Sequence, residues 1–354
     1  MPKIRMITPG IGYALLAAAL FGASTPFAKQ LVGQTSPLLL AGLLYAGSAL
    51  GLSLWLLIQR WRKDTGSDPG LKRSDLPWLI GAIISGGVAG PGLLMFGLAT
   101  TTAADASLLL NLESVLTAVI AWVVFRENVD RRVFAGMFAI VLGSVLLSWS
   151  PGAGLGLSWG SLAIAAACLC WAIDNNLTRV ISGGSPVQIA ALKGGVAGTV
   201  NIMLALALGA HWPAPSALVG AATIGLFGYG LSLVLFVLAL RHLGTARTGA
   251  YFSTAPFVGV SLSLLWLQET PDAAFWWAAA LMALGVWLHV SEHHEHEHQH
   301  DALEHEHSHT HDAHHQHAHD DGWDGREPHS HWHRHEPLRH SHPHYPDLHH
   351  RHSH

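Results

Sequence analysis

Charge is scarce in this chain. Of 354 residues only 12% are Asp, Glu, Lys or Arg, about half the share of an ordinary soluble domain, and many of these lie after Ser291. That argues against a water-soluble globular fold. Cysteine is nearly absent: Cys168 and Cys170 are the only two, both inside an apolar run, so there is no disulfide framework. No Gly-rich nucleotide loop and no Ser/His/Asp arrangement stands out, so the sequence supports neither an enzyme nor a nucleic-acid partner. The formal charge of −4 carries little weight, because the placement of charge matters more than its sum. What is abundant is apolar: half the residues are hydrophobic, with 37 Gly and 14 Trp, as suits helices packed in lipid with aromatic residues near the interfaces. The first apolar run lacks a small-residue cleavage site before the next one and reads as a retained helix rather than a signal peptide.

In chain order the hydropathy predicts ten spans, over residues 10–30, 37–58, 76–99, 103–125, 132–150, 158–181, 186–208, 215–240, 246–267 and 273–290. Most connections are short, as between antiparallel neighbours. Lys and Arg set the orientation. One set of loops and ends carries thirteen, including Lys3, Arg5, Arg60, Arg62, Lys63, Arg131, Arg132 and Arg247, and the other set carries only Lys29. That imbalance predicts a multi-pass protein of the inner or plasma membrane with both termini cytoplasmic.

One stretch organises the rest: residues 103–127, AADASLLLNLESVLTAVIAWVVFRE, apolar for about one bilayer crossing and closed by charge. Residues 245–269 repeat the plan, small and polar first, then apolar, then Glu. Phe21-Gly22 through Lys29 lines up likewise with Trp171-Ala172 through Arg179. With five spans per half, the second half enters the membrane inverted, the plan of secondary transporters whose site lies near the midplane. FGASTPFAKQ in the first span, SLLLNLESVLTAVIAWVVFRE in the fourth and LSLLWLQE in the ninth resemble the EamA group of the drug/metabolite transporter superfamily. The resemblance covers about residues 10–290. It implies an all-α integral membrane protein: ten helices as two inverted five-helix repeats, 1–150 and 151–291, a central cavity, and export of small molecules by alternating access. Three positions depart from the family pattern. Ser114 stands where Pro usually follows Glu113, Ala255 where the second half would carry Glu, and Arg126 where Gly precedes the terminal Glu.

Polar residues at membrane depth are functional-site candidates. Glu113 sits mid-span and suits a proton or a cation, or else a helix–helix hydrogen bond; Asp105, eight residues earlier, is nearer the boundary. Asp174 and Lys193 fall at similar depth on spans joined by a tight turn, where an ion pair would lower the cost of burying either. Asn111, Asn175 and Tyr251 complete the candidate transport cavity, and Asn201 and Tyr229 belong with them or serve as helix bridges. Cys170 and Asp174 share a helical face and would offer soft and hard ligands to a divalent metal.

After Ser291 the composition changes. Residues 292–354 hold 24 of the 27 His, and apolar content collapses, so this segment reads as a disordered cytoplasmic tail. Imidazole is the commonest protein ligand of transition metals, and the tail is an expected metal-binding segment through His293, His294, His296, His298, His300, His305, His307, His309 and His311. No cofactor is required; nickel, cobalt or zinc is the metal expected on the tail. The combined expectation is an exporter of divalent metal, nickel or cobalt or else zinc, whose tail gathers ions at the inner mouth. The alternatives are an exporter of small organic metabolites or amino acids with a metal-regulated tail, and a membrane-tethered metal store or sensor. The expected partners are the lipid bilayer and a small-molecule or metal-ion substrate, with a homodimer left open.

Overall fold

The computed structural model describes residues 9–62, 70–125, 131–148 and 158–291, together with 295–300, 303–309, 329–335 and 338–343. It divides into two units, residues 1–292 and 293–354. The described residues of the first unit are almost all helical. Its helices are α1 (Pro9–Leu31), α2 (Pro37–Trp61), α3 (Leu76–Ala82), α4 (Gly90–Thr100), α5 (Ala103–Leu109), α6 (Leu112–Phe125) and α7 (Arg131–Ser148). The second half contributes α8 (Trp159–Ile181), α9 (Pro186–Ala207), α10 (Pro215–Ile224), α11 (Ser232–Phe252), α12 (Ala255–Trp266) and α13 (Ala273–Val290). Among the described residues eight helical stretches are long and apolar enough to cross a bilayer. The remaining apolar segments are the shorter α12 and α13. Large apolar side chains point outward all round, among them Leu50, Trp55, Phe96, Phe138, Val219 and Trp277. An apolar exterior on that scale belongs in lipid.

Entry into several helices follows ordinary capping chemistry. The side chains of Ser36, Ser158 and Asp272 accept from the backbone N–H three residues on, and Pro37, Pro186 and Pro215 occupy first-turn positions where no N–H is needed. Packing then comes in matched sets, as two inverted repeats require. α2 runs along α9 and α7 along α13; α1 packs on α11 and α12 as α8 packs on α4 and α6. The α2–α9 seam is close enough to need glycine. A Cβ on Gly42 would stand 2.8 Å from the Ile202 backbone N, and one on Gly198 would stand 2.7 Å from that of Ala46.

Both halves interrupt the same two spans. α3 passes into α4 through a π-helical segment, Ile83–Ala89, and α10 into α11 through another, Gly225–Leu231. The glycines before Pro91 therefore widen the helix rather than breaking it. The fourth span does break, at Leu110-Asn111 between α5 and α6, where Asn111 N–H bonds Leu108 O at 3.0 Å and Glu113 N–H bonds Leu110 O at 3.1 Å. The ninth breaks at Ser253-Thr254, with the bonds Thr254 N–H to Tyr251 O at 3.2 Å and Phe257 N–H to Thr254 O at 3.1 Å. Each break falls just ahead of the position where the family pattern places its carboxylate, Glu113 in one half and Ala255 in the other. Gly244 (φ 72°, ψ 178°) bends the chain inside α11, where the eighth and ninth spans join.

In the second unit the composition suggests disorder, yet the four described segments are paired strands. β1 (Glu295–His300) pairs antiparallel with β4 (Leu338–Pro343), and β2 (Leu303–His309) with β3 (His329–His335). The physical reason is available in the sequence, since His-x-His repeats with the period of two that a strand has.

Candidate functional site

The chain's own residues converge on a partly open cleft between α1, α2, α6, α8, α9 and α11. Five sequence candidates line it: Glu113, Asp174, Asn175, Lys193 and Tyr229. Lys193 is only 2% exposed and Asp174 3%. Lys193 Nζ donates to Asp174 Oδ1 at 2.5 Å and also pairs with Oδ2, and Thr178 Oγ1 donates to Oδ1 at 2.9 Å. Space for the Asp174 carboxylate comes from Gly86 in the π-helical segment, where a Cβ would collide with it. The proposed Cys170–Asp174 metal pair is therefore not formed: Asp174 is committed to Lys193 and Thr178, and no group of three or more His, Cys, Asp or Glu that could hold a metal occurs among the described residues.

Glu113 lies in the first turn of α6, just after the break in its span, and at 8% exposure it is buried. Its Oε1 accepts from Asn175 Nδ2 at 2.8 Å, and Asn175 also reaches Thr117 Oγ1 at 3.4 Å. No ion pair to Glu113 occurs among the described residues; the cation nearest in the site, Lys193, belongs to Asp174.

Aromatic side chains make up most of the remaining wall. Tyr45 OH and Trp171 Nε1 both donate to Gly86 O at 2.9 Å, a carbonyl available because the wider π turn does not use it as a regular helix would. Asn201 Nδ2 donates to the next carbonyl, Gly87 O, at 3.1 Å, so it braces the same segment. Tyr229 stacks edge-on to Tyr45 at 5.3 Å, and Phe21 touches Trp171 at 5.7 Å. Phe236 and Phe252 close the other side. Of these rings, Tyr45, Phe236 and Phe252 were not singled out by sequence reasoning; the alignment between the halves pointed toward Phe21 and Trp171.

Three candidates lie elsewhere. Asn111 is fully buried at the helix break, where Nδ2 donates to Leu108 O at 3.1 Å and approaches Met282 Sδ at 3.8 Å. Asp105 sits at the far end of its span, in the first turn of α5, where its N–H caps onto Thr102 Oγ1 at 3.0 Å. Tyr251 packs beside Ala14, Ala239 and Leu243. None of the three lines either described cavity. His293, His294 and His311 lie outside the described residues, as do the side chains of the remaining tail His.

At the end of the bundle shared by α4 and α5 a polar cluster ties helices together. Lys29 Nζ donates to Leu98 O and Thr101 O, each at 2.6 Å, ending α4. Glu269 accepts from the N–H groups of Ala103 and Ala104 at 3.0 and 2.9 Å, an anion at the N-terminus of α5.

Residues 8–149 and 158–291 each match the model of the EamA-like transporter family. The chain belongs to that family. Two curated relatives agree with this. An uncharacterized transporter of Methanothermobacter thermautotrophicus is 29% identical over 57% of this chain and 61% of its own length. The uncharacterized transporter YyaM of Bacillus subtilis is 26% identical over 77% of this chain and 90% of its own. The chain thus spans about three fifths of the first relative and nine tenths of the second. A solved crystal structure shares the fold with a TM-score of 0.61 at 18% identity, over 78% of this EamA chain and 95% of that one. Family and fold together make this a multi-pass membrane protein of a transporter family.

Proposed function

We propose that this EamA protein is a secondary transporter that exports a small organic solute across the cytoplasmic membrane by alternating access, with both termini in the cytoplasm. The observation that carries the reading is the cavity itself. It lies between the two repeats, holds one buried carboxylate and one neutralised ion pair, and is otherwise walled by aromatic rings. Such a wall suits an apolar organic body held by a few placed polar groups. A stripped divalent ion instead needs several oxygen, nitrogen or sulfur donors round one point, and here the Asp174 carboxylate is already taken by Lys193. The helices would rock about the seam while Lys29 and Glu269 hold the outer ends of α4 and α5 together in the state described.

Divalent metal efflux is the second reading, and a different observation favours it. The strand register sets His opposite His at 296 and 342, 298 and 340, 305 and 333, 307 and 331, and 309 and 329. Imidazole is the commonest protein ligand of such metals, so nickel, cobalt or zinc on the tail is the metal chemistry we assign to this segment. In that reading the tail gathers metal for export; in the first it regulates export of the organic cargo.

One experiment separates them. Cells carrying the full chain, the chain ending at Ser291, or the full chain with Glu113→Gln are challenged with nickel, cobalt and zinc, and with a set of labelled organic solutes. The expected result is lower accumulation of an organic solute with the full chain, lost in Glu113→Gln at equal membrane expression. Lower accumulation of one metal, lost in the same variant, would replace the first reading with the second.

A further inference from the structure

We infer that the cargo of this cavity is an organic monocation, an ammonium group on an apolar body, seated between Glu113 and the three rings of Phe21, Phe236 and Phe252. This rests on the reading of the cavity as the site of an organic solute, and it names the class. A second, much smaller cleft adjoins the first on the side of α12. The two share five lining residues: Phe21, Glu113, Asn175, Phe236 and Phe252. Any solute that moves from one space to the other passes this set.

The set has one charge. Glu113 is buried, its one hydrogen bond in the site comes from neutral Asn175, and no cation pairs with it among the described residues. Asp174 and Lys193, by contrast, cancel one another. The site therefore presents a single negative charge rather than a zwitterionic or cationic face. A carboxylate so placed at membrane depth needs a counter-charge or a proton. The rings supply what a hydrated metal would not use. Phe252 touches Phe21 at 5.4 Å and Phe236 at 4.9 Å, so the three form one continuous aromatic wall beside the carboxylate. An ammonium within about 6 Å of a ring face is attracted by its quadrupole. An anion would find Lys193 already occupied, and would have to displace Asp174 to bind.

The test uses the purified full chain and three probes of one shape: benzyltrimethylammonium, its neutral carbon analogue neopentylbenzene, and the phenylacetate anion. Binding is followed by calorimetry, and uptake into proteoliposomes by radiolabel. The cation should bind at least about 10-fold tighter than the neutral analogue, and Phe252→Leu should weaken it about 5- to 10-fold, the scale of one lost cation–π contact in a dry site. Glu113→Gln should abolish the preference for the cation, with thermal unfolding run alongside to confirm a folded protein. Should Glu113→Gln fail to fold, the ranking of the three probes on the native chain and Phe252→Leu decide alone. Equal binding of cation and neutral analogue, preference for the anion, or no binding of the cation overturns the inference. Uptake tells apart the two failures: transport of neutral or anionic probes would leave the organic-solute reading standing, whereas movement of nickel, cobalt or zinc and of no organic probe would remove both.

Discussion

Replacing Lys193 by Met removes one member of a pair that is almost wholly enclosed, and its consequence can be worked from the geometry. Nζ lies 2.5 Å from Asp174 Oδ1, with both residues at most 3% exposed. At a separation of about 3 Å and an effective dielectric constant near 20 the attraction is roughly 5 kcal/mol. Loss of one partner from a buried pair costs about 3–5 kcal/mol, because the other charge stays behind without compensation. Thr178 would still donate to Asp174 at 2.9 Å, which softens the loss without supplying charge. At about 2–4 °C per kcal/mol for a chain of this size, the midpoint should fall by roughly 6–20 °C. Fluorescence-detected size-exclusion after heating, in detergent, reads that shift. The double variant Asp174→Asn with Lys193→Met removes both charges and should recover most of the loss, which an independent pair of defects would not do. A Lys193→Met protein as stable as the native one, or a double variant no better than the single, would refute the account of the pair as mutual neutralisation. If the double variant is stable and still transports, the pair serves the fold; if it is stable and inactive, the pair opens during transport.

Gly86→Ala should be poorly tolerated, because its methyl would fall on the Asp174 carboxylate; a loss of about 1–3 kcal/mol is expected from such overpacking and is read from the same heating assay. Glu269→Gln keeps a polar contact to the N–H groups of Ala103 and Ala104 but removes the anion from the α5 terminus. The stability cost should be about 0.3–1 kcal/mol, and faster labelling of a cysteine introduced at Thr102 would show the loosened end. Truncation after Ser291 should leave the thermal midpoint of the helices unchanged while removing nearly all nickel bound per chain in equilibrium dialysis; retention of metal by the shortened chain would contradict the assignment to the tail. Gly198→Leu should separate α2 from α9, where no side chain fits, and should give a protein that fails to appear as a monodisperse peak.

The residues legible in advance were those whose chemistry conflicts with their setting. Glu113, Asp174 and Lys193 stand out in apolar runs whatever the fold, and a loop turn of known length places the last two at one depth. Asn111, Asp105 and Tyr251 show the limit of that logic. Each is polar and near the membrane interior in sequence, yet one fills a helix break, one caps a helix end and one packs beside alanines. Which way a helix faces depends on its neighbours, and an apolar run in lipid has little polar stripe to reveal it.

The sequence by itself determined the class: long apolar spans, lysine and arginine on alternate loops, and a plan repeated in the second half. These are local or counted properties, set by what a bilayer will admit. Only the tertiary structure decided that the spans break ahead of Glu113 and Ala255, that π-helical turns free Gly86 O for Tyr45 and Trp171, and that Phe21, Phe236 and Phe252 meet beside the Glu113 carboxylate. Those arrangements join residues more than two hundred positions apart, and they follow from which glycine faces which neighbour, a relation that no single span contains.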